Sequence, residues 1–193
     1  QIGSQNVLTT LFSTDDTKKN EDFSEKTIAE LVRACFEMGK VKTGALIVIE
    51  RGTPLGEIER TGIEVDGIVT SQLLINIFEH NTPLHDGAVV IRGNRVTAAT
   101  CYLPLSDNMD ISKALGTRHR AAVGVSEATD SVTLVVSEET GRVSVAVSGR
   151  LKSVKDGDEL RDMLSVLVKR ETENTGRFRI WKGRRRNERK ADE

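Results

Sequence analysis

Asp86-Gly87-Ala88, an acid beside a glycine, and Arg118-His119-Arg120, two cations around an imidazole, are the residues whose types and spacing could do chemistry together. The Asp86 carboxylate can bind a divalent metal ion or accept a proton, and His85 before it can bind metal as neutral imidazole. Gly87 leaves the backbone open to close approach, and the small Ala88 keeps that space clear. The same Asp-Gly pair is also an ordinary turn feeding a strand. The second group is harder to read as plain structure. A helix start carries unpaired amides and the positive end of the macrodipole, so it favours an anion and disfavours arginine. Arg118 and Arg120, following Gly116-Thr117, therefore ask for a negative ligand. Each charge-assisted bond to phosphate contributes on the order of 1.5–3 kcal/mol, with a bidentate geometry that lysine lacks. Surface arginines meeting glutamates are the alternative. Of the three histidines in the chain, two lie inside these motifs.

Two weaker groups accompany them. In Ser137-Glu138-Glu139-Thr140-Gly141, at a strand end, the serine could donate to phosphate and one glutamate could hold a metal, yet Glu-Thr-Gly is equally ordinary in a hairpin. Tyr102-Leu103-Pro104 offers an aromatic face and backbone groups for a base, or simply a core edge. The chain has no G-x-x-x-x-G-K-[ST], G-x-G-x-x-G, H-E-x-x-H or G-x-S-x-G motif.

The elements that must position these residues follow from periodicity. Ile28, Leu31, Val32, Cys35 and Phe36 recur at helical spacing after Ser24, a plausible N-cap, with Gly39 as the stop. Ala45 to Ile49 reads as a strand buried on both faces. Residues 51–67, rich in glycine and containing Pro54, read as a long connection, and Ser71 to Phe78 as a short helix ended by Asn81 and Pro83. Ala88 to Ile91 and Val96 to Tyr102 flank the hairpin signal Gly93-Asn94. A loop from Leu103 to Asn108, a short helix near Ser112 to Leu115 and the helix opened by Arg118 come next. Val132 to Val136 and Val143 to Val147 read as strands, with a turn at Ser148-Gly149-Arg150, a further short strand and a helix over about 158–169. The expected fold is α/β: one domain with a mixed parallel and antiparallel central sheet flanked by helices.

Composition bounds the rest. At 193 residues the chain suits one core-forming domain. With 28 basic and 29 acidic residues the formal charge is −1, so affinity for anions must be local and no nucleic acid is expected as partner. Seven aromatic residues (five Phe, one Tyr, one Trp) supply no stacking platform for single strands. The cysteines Cys35 and Cys101 fit no disulfide framework or C-x-x-C spacing, which favours a reducing, intracellular setting. Residues 1–22 read as a polar linker or lead-in, and residues 171–193 as a basic tail, either a solvated end or a patch for lipid headgroups or an acidic partner.

Segments 81–91 (NTPLHDGAVVI), 101–106 (CYLPLS), 115–127 (LGTRHRAAVGVSE) and 136–145 (VSEETGRVSV) together resemble the diadenylate cyclase (DAC) family, marked by DGA and RHR motifs, and in particular its membrane-anchored CdaA-type bacterial members. The resemblance covers about residues 25–170 and gives a DAC domain over 23–170. It implies condensation of two ATP molecules to cyclic di-AMP with release of two pyrophosphates, using Mn²⁺ or Mg²⁺. Mapped by motif, it implies that Asp86, Arg118 and Arg120 are catalytic. Gly87, Ala88, Tyr102, Leu103, Gly116, Thr117, Arg118, His119, Arg120 and Ser137 would bind nucleotide, and His85, Asp86 and Glu139 would bind metal. A two-fold symmetric product requires two chains facing each other, hence a homodimer. Relatives of this type carry transmembrane helices before the domain, so a chain starting at Gln1 is expected to follow a removed membrane region, with the catalytic domain on the cytoplasmic side. A YbbR-domain regulator and phosphoglucosamine mutase are partners by the same analogy. The competing reading is a nucleotide-binding regulatory module without turnover.

Overall fold

Apolar residues at helical spacing give the first helix, α1 (Glu25–Lys40), its buried stripe of Ile28, Leu31, Cys35 and Met38. Ser24 caps it, its hydroxyl accepting from the Thr27 amide at 3.2 Å. In the computed structural model the described residues are 23–108 and 115–167. The lead-in over 1–22, most of the helix expected near 112–115, the last residues of the final helix and the basic tail lie outside them. At its other end α1 runs one residue past Gly39 and closes in a Schellman motif. The Thr43 amide donates to Met38 O at 2.9 Å and the Lys42 amide to Gly39 O at 3.2 Å. Lys42 takes the left-handed position, φ 57°, that glycine usually fills.

A seven-stranded sheet follows, built from β1 (Ala45–Ile49), β2 (Ile63–Ile68), β3 (Ala88–Arg92), β4 (Arg95–Cys101), β5 (Val132–Val136), β6 (Val143–Val147) and β7 (Arg150–Ser153). Its order is β2-β4-β3-β1-β5-β6-β7. Only β1 and β3 pair in parallel; every other neighbour is antiparallel. This is the mixed sheet expected. All five residues of β1 are buried, as a strand covered on both faces requires. Ile47, Ile49, Val89, Ile91, Leu134 and Val136 pack on α1, on α3 (Ser71–Phe78) and on Leu160 and Leu164 of the last helix, α5 (157–167). Leu46, Val48, Val90 and Val135 pack on Ala121, Ala122 and Val125 of α4 (Thr117–Ala128).

The stretch 51–67 corrects the sequence reading. It is no plain connection, but holds a short helix, α2 (Gly56–Glu59), and nearly all of edge strand β2. β2 escaped periodicity because it is largely exposed and irregular. Its register slips between Glu64 and Gly67, and Asp66 has φ 46°. The two-residue turns were legible. Gly93 carries the positive φ between β3 and β4, and Ser148 and Gly149 both do between β6 and β7. Asn94 also ties the β3–β4 hairpin to α1, accepting from the Ser24 amide at 2.8 Å and the Thr27 hydroxyl at 2.6 Å.

Candidate functional site

Strand direction gathers the candidate residues. β3 starts at Ala88, just after Asp86-Gly87, and β1, parallel to it, starts just after Gly44. β5 runs the other way, so Val136 lies opposite Ala45 and Ser137 leaves the sheet at the same end. β4 also runs the other way, with Cys101 opposite Ala88, which brings Tyr102 and Leu103 there too. From β4 across β3 and β1 to β5 that edge spans about 14 Å at ordinary interstrand spacing.

Helix α4 aims its first turn at this edge. Its N-cap, Gly116, offers no side-chain hydrogen bond, and its first turn holds no acid. The Thr117 and Arg118 amides are thus left for a ligand, while that of His119 turns back to Gly116 O at 3.2 Å. They line a cavity of about 440 Å³ bounded by Gly116 to His119 on one side and by Ser137 to Thr140, with Arg142, on the other. The β5–β6 turn is well built. Gly141 (φ 71°) donates to Ser137 O at 2.8 Å. The Ser137 hydroxyl accepts from the Thr140 amide at 3.2 Å, leaving its own proton free to donate.

Arg118 does meet a glutamate, its Nη1 lying 2.6 Å from Glu138 Oε2, and its guanidinium lies across Gly44. A methyl group built on Gly44 would stand 2.8 Å from that Nη1. Arg120 has no ion-pair partner among the described residues, while its carbonyl accepts from the Ser106 amide at 3.0 Å. That bond holds the segment after Tyr102 along α4. Gly124 permits the crossing, since a Cβ there would stand 2.2 Å from Pro104 O. His119 is buried beside the arginine. Burial pushes its imidazole below the usual 6.5, Glu139 pulls the other way, and Arg118 adds to the lowering. The ring is therefore neutral near pH 7, and the arginines carry the fixed positive charge.

Asp86 stands at the same sheet edge, exposed and without an ion pair or hydrogen bond among the described residues, and it does not line the cavity of Arg118. A second cavity of about 640 Å³ is lined by Lys42, Thr43, Gly44, Glu79, His80 and Glu138. Glu138 borders both. His85 stacks edge-on to His80 at 5.4 Å, which joins the Asp86 segment to this second hollow. What crowds Gly87 is the protein itself. With φ 99° and a would-be Cβ only 2.8 Å from Thr100 C, the residue must be glycine for packing alone. Thr100 is itself left-handed, φ 56°, where the register of β4 slips against β3. Tyr102 is 82% exposed, whereas Leu103 is half-buried.

One functional class falls away. Cys35 and Cys101 are buried and their thiols pushed up to about 12 and 11, so neither serves as a nucleophile. Among the described residues no three His, Cys, Asp or Glu side chains converge on one point as a protein-only metal centre. His85 Nδ1, 2.6 Å from Thr82 O, must donate to that carbonyl, which leaves Nε2 of the neutral ring as a lone-pair donor next to Asp86. One carboxylate and one imidazole suit an ion that takes its remaining ligands from water and phosphate oxygens. Sequence reading missed Gly44, Glu138 and Gly124. The first precedes an apolar strand, the second adjoins a flagged serine, and the third sits mid-helix, which is signal enough only once the neighbours are known.

Comparison with known proteins points the same way. Residues 32–151 match the family described as DisA bacterial checkpoint controller nucleotide-binding. The chain is 51% identical over 166 residues to a Bacillus subtilis protein named cyclic di-AMP synthase CdaA, covering 86% of this chain and 61% of that one. It is 47% identical over 157 residues to a Listeria monocytogenes protein named diadenylate cyclase, covering 81% and 58% respectively. The chain thus spans about three fifths of these relatives. A crystal structure of a DacA double mutant from Staphylococcus aureus superposes with TM-score 0.72 at 48% identity, covering 73% of this chain and 94% of that one. A hypothetical membrane spanning protein from Bacillus cereus superposes with TM-score 0.65 at 42% identity, covering 67% and 64%.

Proposed function

The chain belongs to the DisA bacterial checkpoint controller nucleotide-binding (DAC) family, and from that premise we infer that it is the catalytic domain of a diadenylate cyclase. The substrate is ATP and the product cyclic di-AMP. The observation that carries this reading is the common sheet edge, which gathers the exposed Asp86 carboxylate and the uncapped start of α4, with Arg118 lining the cavity there and Arg120 two residues further along the helix.

In the reaction the 3′-oxygen of each ATP attacks the α-phosphorus of the other. A P–O bond forms, the bond to the β-phosphate oxygen breaks, and two pyrophosphates leave with the two hydroxyl protons lost to base. Such transfers need positioning and charge stabilisation more than covalent chemistry. Thr117 to Arg120 hold the triphosphate, with the Ser137 hydroxyl donating to it. Asp86 takes the 3′-hydroxyl proton beside Gly87 and Ala88. Tyr102 and Leu103 receive the adenine. Asp86 and His85 are the candidate ligands for Mn²⁺ or Mg²⁺, with Glu139 on the opposite wall; such an ion, when bound, neutralises phosphate charge.

Each α-phosphate must meet the hydroxyl of a second nucleotide, so two chains face each other through an isologous contact. Tyr102 and Leu105, 82% and 55% exposed at the reacting edge, support this by offering apolar surface for a partner. Among the described residues no helix is long and apolar enough to cross a membrane. Membrane anchoring through a segment outside them rests on the kinship with the CdaA-named relative and the membrane spanning neighbour.

The test is direct. Purified chain with ATP and Mn²⁺ or Mg²⁺ is expected to yield pyrophosphate and a cyclic dinucleotide identified by mass, at a specific rate that rises with protein concentration. ATP bound but unconverted at every concentration and with both metals would instead favour the silent module.

A further inference from the structure

The turn that walls the phosphate cavity rests on the end of α1. Gly39 and Gly141 meet backbone to backbone. A Cβ on Gly39 would stand 2.5 Å from Gly141 O, and one on Gly141 would stand 2.1 Å from Gly39 O. Neither chain can yield cheaply at this point, because both atoms approached are backbone. Three residues before Gly141, Glu138 holds Arg118 at 2.6 Å. Arg118 in turn lies over Gly44, which follows directly from the Schellman closure of α1 at Met38 to Thr43. One helix end therefore touches both walls of the cavity, the turn through Gly39 and the arginine through Gly44.

We propose that the C-terminal end of α1, residues 38–44, is the positioning platform of the anion cavity, with Gly39 setting where the 137–142 turn stands and Gly44 seating the Arg118 guanidinium. The proposal rests on the cyclase reading and deepens it, since neither glycine touches the reacting atoms. Its physical content is a distance. A methyl at Gly39 must push the turn away by about 1 Å to reach ordinary contact, and displacements of that size cost about 100-fold in an assembled site. Alanine at a helix position otherwise favours the helix. That preference is small beside a backbone clash, so Gly39→Ala loses stability too, and KM of the folded protein is the readout that separates positioning from folding.

The experiment compares Gly39→Ala and Gly44→Ala with Gly157→Ala, whose added methyl meets α1 about two turns before Gly39, mainly at Val32 Cγ1, 3.1 Å away. Each variant is measured for melting temperature and for KM and kcat with ATP. Gly39→Ala is expected to raise KM of the folded protein about 10-fold to 100-fold and to lower the melting temperature as well. Gly44→Ala, which displaces only the end of a flexible side chain, is expected to raise KM about tenfold, and Gly157→Ala to leave KM unchanged. Should Gly39→Ala fail to fold, Gly44→Ala decides. A folded Gly39→Ala or Gly44→Ala with the KM of the unaltered protein overturns the platform, as does an equal rise in Gly157→Ala. If the unaltered chain makes no product, the cyclase reading fails by itself. The platform is then judged by calorimetry with inorganic tripolyphosphate, whose affinity Gly39→Ala must weaken about tenfold for it to stand.

Discussion

The two ends of the sheet treat charge in opposite ways. Where β1 and β3 finish, Glu50 takes Arg92 Nε at 2.6 Å and the Leu55 amide at 2.7 Å, and Arg92 also reaches Glu59 at 2.8 Å. Thr97 donates to Glu59 as well. Nearby, Asp130 accepts from the Gly52 and Thr53 amides at 2.9 and 2.8 Å. Burial raises its pKa, but these bonds and Arg51 outweigh burial and hold the carboxyl below its usual range. Where the same strands begin, Asp86 and Arg120 have no ionic partner among the described residues, and Arg118 has one, on an exposed glutamate. A closed network stabilises the fold, whereas charges left unmatched at a helix start and strand edge are available to a ligand. The contrast separates residues that hold the protein together from residues left available to a ligand.

Asp86→Asn should break that contrast most sharply. Product formation is expected to fall about 10²–10⁴-fold while ATP binding and melting temperature stay near their original values; chromatography of the cyclic dinucleotide beside a binding titration reads this. Undiminished product would remove Asp86 from the mechanism. At the other end Glu50→Ala is expected to cost about 1–2 kcal/mol of stability, measured by denaturant unfolding, with kcat and KM of the folded protein unchanged. Arg118→Lys keeps the charge and loses the fork, so KM should rise about tenfold with little loss of stability.

The smallest expected effect is on pH. Because burial lowers the His119 pKa in the folded chain, the unfolded chain binds more protons in the window below 6.5, so stability rises with pH there. The contribution is fully present above 6.5 and lost as pH falls through the folded value. Unfolding curves between pH 7.5 and about 5 should therefore steepen in pH dependence with His119 present and flatten in His119→Gln. An unchanged slope in that variant would assign the acid sensitivity elsewhere.

Much of this was legible along the chain. α1, α3, β1 and the β3–β4 hairpin follow from periodicity, caps and Gly93, because these elements bury a regular face. β2 was not legible, since an exposed, bulged edge strand buries too little to impose alternation. The motif residues Asp86, Arg118 and Ser137 could be picked out by type and spacing. The reason for Gly87 could not, because the atom that forbids a side chain there belongs to Thr100.

What the amino-acid order determined by itself was local: which segments are helix or strand, which residues can bind phosphate or take a proton, and, through its motifs, the family. Tertiary structure alone decided that β3 and β1 start where β4 and β5 end, which brings distant motifs to one edge. It also decided that Glu138 faces Arg118, and that Gly39, Gly44 and Gly124 are glycines because other backbones or side chains pass within a methyl's reach. Periodicity reports the environment of one element, whereas these contacts depend on two elements meeting, and that information is absent until the sheet has formed.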